Sequence, residues 1–230
     1  MTFKVRTSIL DNADGSAELT LNGTKVLVSA SGPIEPKLRQ ELPQKASLEI
    51  IVRPARGLST TREKLMEDKL RSLLQNLIIR FQYPRQLIQI VVQFLVVDEA
   101  EEFTCNELNA AINGCYFALI DADLALYSSF ASAAMCINSG NVIADPTGDI
   151  FATSDSHHVV CFSIVDGRVE KLLLLESAGA FTQHQLFDLL AKSVVDVEQV
   201  HRWQREAIEK KIANDYIWRG AITEDPIKVE

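Results

Sequence analysis

The 230-residue chain has no lysine or arginine between Gln86 and Gly167, although 11 acidic residues fall there, from Asp98 and Glu99 through Asp149, Asp155 and Asp166. Any contact with an anion must come from elsewhere in the chain. Long apolar runs are missing too, since no stretch approaches the roughly 20 residues of a membrane helix. Met1 to Arg6 lack the charged-then-apolar layout of a signal peptide, so an intracellular protein with no membrane partner is expected. Cysteine is scarce, and Cys105, Cys115, Cys136 and Cys161 show no C-x-x-C spacing. Each lies in an apolar run, which predicts buried free thiols rather than a disulfide framework or a zinc site. No G-x-G-x-x-G, Walker loop, H-E-x-x-H or G-x-S-x-G is present, so most cofactor and hydrolase classes lose support. Neither a metal nor a cofactor is expected.

What is present is an ordinary globular composition, with 47% hydrophobic and 23% charged residues and a net charge of -8. That charge argues against nucleic-acid binding by bulk electrostatics. Its distribution is uneven, because Glu35 to Arg85 carry 11 basic against 6 acidic residues. Asn22-Gly23 between the alternating runs Ser16–Leu21 and Thr24–Ser31 predicts a hairpin, because a type I′ turn needs two residues at positive φ. The sequon Asn22-Gly23-Thr24 is therefore read as a turn. A third strand is expected at Ser47–Val52, after a loop with three prolines.

Thr60 and Glu63 have capping-box spacing and open a helix whose apolar face includes Leu65, Leu70, Leu74 and Phe81, stopping at Tyr83-Pro84. Gln86–Val97 reads as a strand covered on both sides. Thr104 with Glu107, and Thr182 with Gln185, predict two further capped helices, the last running past Trp203 toward Ile212. Strand-like pieces surround Ala133–Ile137, Asn141–Ala144, His157–Val165 and Arg168–Leu175, with a turn at Asp166-Gly167. The class is α/β or α+β, with two similar halves and no linker between them.

Few residues suggest chemistry by themselves. His157 and His158 are adjacent in a strand and point to opposite faces, so they do not readily share an ion. Asp145, Asp149 and Asp155 gather in one segment, where acids could hold a metal or simply shape turns. Arg53, Arg56 and Arg62 flank a glycine loop entering a helix N-terminus, a favourable place for phosphate.

Several runs in order carry a resemblance: Gly32-Pro33-Ile34-Glu35-Pro36-Lys37, residues 49–56 (EIIVRPAR), Thr60-Thr61-Arg62-Glu63, Tyr83-Pro84-Arg85-Gln86, residues 109–122 (NAAINGCYFALIDA) and Asp145-Pro146-Thr147. Together they make the chain similar to the RNase PH-like ring subunits of the eukaryotic RNA exosome. The resemblance implies one RNase PH-like domain over residues 1–220, a duplicated βαβα arrangement with mixed sheets and packed helices, followed by a tail at 221–230. It implies as partners other RNase PH-like exosome subunits, especially one resembling ribosomal RNA-processing protein 43, with cap subunits, an associated nuclease and RNA. It implies a place in the nucleus and nucleolus and also in the cytoplasm.

Active members of the family bind phosphate through a Gly-Gly-Thr-Arg loop and an arginine on the first helix, beside two aspartates. At the matching positions this chain has Cys105-Asn106-Glu107-Leu108 and Asp68, while the six-residue aspartate spacing survives as Asp149 and Asp155. Phosphate next to Glu107 and Asp68 would meet like charge without a bidentate cation. The resemblance therefore implies a ring subunit with no catalytic residue, and the charge distribution makes Arg53, Arg56 and Arg62 the candidates to contact RNA. The alternative is a phosphorolytic or metal-dependent 3'-5' exoribonuclease using Asp149 and Asp155.

Overall fold

The computed structural model describes residues 3–215, so the boundary at 220 and the tail 221–230 lie outside the described residues. Its first sheet contains β1 (Phe3–Thr7), β2 (Gly15–Leu21), β3 (Thr24–Ile34), β4 (Ser47–Arg53) and β5 (Leu87–Val96), in the order β1-β2-β3-β5-β4. The β2–β3 hairpin forms as its turn chemistry requires, with Asn22 and Gly23 at φ 47° and 85°. The only parallel pair in this sheet joins β4 to β5 across α1 (Thr61–Leu77). The second sheet holds β6 (Ser129–Asn138), β7 (Asn141–Ala144), β8 (Ser156–Val165) and β9 (Arg168–Gly179) in the order β7-β6-β8-β9. All its pairings are antiparallel, so only the first sheet is mixed. Asp166 and Gly167, at φ 52° and 78°, turn β8 into β9.

Between the sheets lies α2 (Cys105–Asp121), buried at every position from Cys105 to Leu119. One side packs on β2 and β3 and the other on β6 and β8. Such contact on two sides requires a helix apolar nearly all round, as its run of Ala, Ile, Cys, Phe and Leu supplies. Gly15 lets the first sheet approach the end of this helix, because a Cβ there would lie 2.3 Å from the Ala122 nitrogen. The far face of the second sheet is covered by α4 (Gln183–Asp215), through Leu189, Val197 and Val200 against Ala131, Ala133, Met135 and Ile137. Alternate residues of β6 thus serve two separate cores.

Several expectations need correction. A strand at β1 has no counterpart in the sequence reading, and neither has the short α3 (Gly148–Thr153). The first helix stops at Leu77, where Ile78 turns extended to bridge Leu126, leaving Phe81 65% exposed. Leu65 also faces outward rather than into the core. In β5, burial alternates: Ile88, Ile90, Val92 and Phe94 are buried, whereas Gln89, Val91 and Gln93 are half-buried. The outer face of the first sheet is therefore only partly covered within this chain, and β5 is not buried on both sides. The four cysteines are free and buried as expected. Burial pushes the Cys115 and Cys136 thiols up to about 12 and about 11, so both remain protonated.

Candidate anion site at the start of the second helix

The candidate site lies where the first turn of α2 meets the start of α1. The first capping box is complete. Thr60 accepts from the Arg62 amide at 3.3 Å, and Glu63 Oε2 accepts from the Thr60 amide at 2.6 Å. Burial would raise the Glu63 carboxyl, but the Thr60 hydrogen bonds hold it below its ordinary value. The third box also forms, with Gln185 Oε1 accepting from the Thr182 amide at 2.8 Å.

The second box does not form. Thr104 makes no side-chain cap, and Glu107 does not turn back to it. Instead Glu99, only 8% exposed, accepts from the Asn106 amide at 3.1 Å and the Glu107 amide at 2.8 Å. Glu107 is held by another partner: its Oε2 lies 2.6 Å from Arg62 Nη2, which also lies 2.6 Å from the Phe103 carbonyl oxygen. An ion pair in a largely buried place outcompetes a local cap, because charge interactions strengthen away from water.

Burial would lower the Arg62 guanidinium, but the Glu107 carboxylate holds it above its ordinary value. Burial also raises Glu107, against the pull of Arg62. Glu99 is pushed up to about 7, by burial first, against its two amide hydrogen bonds. A carboxyl raised in the fold favours folding fully below its unfolded value and loses that contribution as pH rises through its folded value. Stability should therefore fall by about 3 kcal/mol between pH 4.5 and 7 on account of Glu99. Urea unfolding across this range should show the loss in wild type and a flatter profile in Glu99→Gln.

Loops close over the turn. Asn106 Nδ2 donates to the Pro146 carbonyl at 3.0 Å, and a Cβ on Gly148 would lie 2.0 Å from the Asp98 oxygen. Phe103 stacks on Phe151 at 5.7 Å and meets the edge of His157 at 5.3 Å. His158 points the other way, between Ser156 and Ser177, as alternation requires. Lys69, rather than position 68, reaches across to the second sheet, 2.9 Å from Glu176. Asp68 is exposed and pairs with Arg71 at 2.8 Å, so it is not the residue that brings negative charge to the turn.

Cys105, Asn106, Glu107 and Leu108 do line up as the first turn of α2, all buried. The remaining sequence candidates are dispersed. Asp149 is exposed in the first turn of α3, while Asp155 accepts from the Ser139 amide at 2.8 Å and fastens the β6–β7 turn. Arg53 and Arg56 are exposed at the end of β4 and in the following loop, but Arg62 is drawn inward by Glu107, so the three do not form one surface group. Glu99 escaped the sequence reading because it sits in the acidic run 98–102, which reads as solvated charge.

Residues 2–125, which include α1 and α2, match the family model described as the 3' exoribonuclease family, domain 1. The chain belongs to the RNase PH family. It is 48% identical over 195 residues to the exosome complex component RRP46 of Saccharomyces cerevisiae, covering 83% of this chain and 87% of that protein. The Schizosaccharomyces pombe exosome complex component rrp46 is 31% identical over 206 residues, 88% of each chain. The crystal structure of rice (Oryza sativa) Rrp46 superposes with a TM-score of 0.83 at 23% identity, over 90% of this chain and 94% of that one. The chain is thus RNase PH-like in fold. Its narrower likeness, to ribosomal RNA-processing protein 46, extends over most of its length.

Proposed function

We propose that this RNase PH-like chain is a non-catalytic subunit of an exosome ring, supporting 3'-5' processing and degradation of RNA, including ribosomal RNA, by forming part of the channel wall. The observation that carries this reading is the Arg62–Glu107 ion pair. The guanidinium beside the family's phosphate position is already neutralised by a carboxylate of the chain itself. Phosphorolysis needs phosphate held against the scissile linkage, and a buried carboxylate 2.6 Å from Arg62 opposes a second anion there by like charge, which supports this reading. The likeness to the two yeast proteins supports assembly with other exosome subunits.

The expected partners are other RNase PH-like subunits, especially one resembling ribosomal RNA-processing protein 43, with cap subunits and a separate nuclease. The chain would act in the nucleus, nucleolus and cytoplasm. Arg53 and Arg56 are the proposed RNA contacts, because both are exposed. Affinity purification from cells should return RNase PH-like subunits in equal amounts. The isolated chain should release no nucleotide from RNA with either phosphate or Mg²⁺. Recovery as a lone monomer would refute the ring assignment, and phosphate-dependent RNA shortening would refute catalytic silence.

A further inference from the structure

The geometry points to Glu99 and Glu107 as two internal carboxyl groups that occupy, between them, the groups a bound phosphate would need. This deepens the reading of a non-catalytic subunit and rests on it. The chain retains two kinds of anion-binding group at the start of α2. One is the pair of backbone amides of Asn106 and Glu107, which point out of the helix with no intrahelical partner and carry the positive end of its dipole. Both are taken by Glu99, at 3.1 and 2.8 Å. The other is the Arg62 guanidinium, which meets Glu107 through Nη2 at 2.6 Å.

Two details distinguish this arrangement from ordinary capping. Thr104 occupies the N-cap position, where a threonine would normally take the amides locally, yet its side chain makes no cap and an acid from the preceding loop does so. Arg62 Nε is buried and has no hydrogen-bond partner among the described residues. Nη1 meets Glu63 at 3.4 Å and Nη2 meets Glu107 and the Phe103 carbonyl, so only Nε is left over, and a tetrahedral anion could engage it together with a neighbouring Nη. The two carboxylates come from different elements and take different donors. Neither alone closes the site: without Glu99 the two amides lose their acceptor, and without Glu107 the guanidinium keeps only Glu63, at 3.4 Å, and the Phe103 carbonyl. Carboxyl oxygens supplied by the chain at both places let the helix start stay buried with no ligand.

The test is whether removing both carboxylates uncovers binding of inorganic phosphate. Thermal unfolding of the wild type, of Glu99→Ala, of Glu107→Ala and of the double variant would be followed in phosphate and in chloride at equal ionic strength. The expected result is a midpoint about 2 to 4 °C higher for the double variant at roughly ten-fold saturation, smaller rises for the single variants, and none for the wild type. Should the double variant not fold, Glu99→Ser decides the point, read from movement of the Asn106 and Glu107 amide resonances as phosphate is added. No phosphate-specific response in any variant overturns the inference, as does a wild type that responds as strongly as the double variant. Catalytic silence is judged separately, by RNA shortening with the wild type, so either idea can fail while the other stands.

Discussion

Replacing Arg62 with alanine is expected to destabilise the chain by about 3 to 5 kcal/mol, because it strips the partner from a buried charge. Glu107 and Glu63 have side chains only 4% and 5% exposed, and Arg62 lies within 2.6 and 3.4 Å of them. Without the guanidinium, two neighbouring carboxylates repel each other and the Phe103 carbonyl loses its donor. Arg53→Ala, by contrast, removes an exposed side chain and should shift stability by less than about 0.5 kcal/mol. Paired urea curves for the two variants check this. Equal stability would mean that Arg62 is not held inside and is as free as Arg53 to meet RNA. Removing Glu107 as well should recover part of the loss, since the unpaired charge then disappears.

Asn113→Leu is the second large effect, at about 3 to 5 kcal/mol. Asn113 is fully buried in α2 and joins three elements: its Nδ2 donates to the Ser132 carbonyl on β6 at 3.1 Å, and its Oδ1 accepts from the Ser132 amide at 3.2 Å and from Gln204 Nε2 on α4 at 3.1 Å. Leucine has a similar volume but satisfies none of these groups, and each unsatisfied buried group carries its desolvation cost. Asn76→Leu, on the exposed face of α1, is the control and should change stability little. Calorimetric melting of both variants would expose a failure of this account if Asn113→Leu melted with wild type.

Local chemistry made much of the fold legible. Asn22-Gly23 forms its hairpin turn, and the boxes at Thr60–Glu63 and Thr182–Gln185 form because donor and acceptor are three residues apart and nothing distant competes. The Thr104–Glu107 box fails because its acid finds an arginine 45 residues earlier in the chain. Spacing cannot register such a partner. The same limit applies to Asp149 and Asp155: six residues apart in sequence, the first lies in the opening turn of a helix that no periodicity announced, and the second lies past its end, where it takes up a turn amide. Phe81 and Leu65 fit a helical apolar face on paper. Sheet pairing at Ile78 ends that helix early, and apolar character does not oblige a side chain to be covered.

The burial of α2 against both sheets has a consequence for how the chain comes apart. One helix closes the shared core between the sheets, so both sheets lose cover on their inner faces once this helix leaves, and the second keeps only its packing against α4. The two sheets differ in architecture, five strands with one parallel pair against four antiparallel ones, and neither stands independent of the other. A protease cut in the exposed proline loop between β3 and β4 would leave a nicked chain still clasped around the helix, with no folded half released. Amides in the middle of that helix would exchange with solvent only when the whole molecule opens.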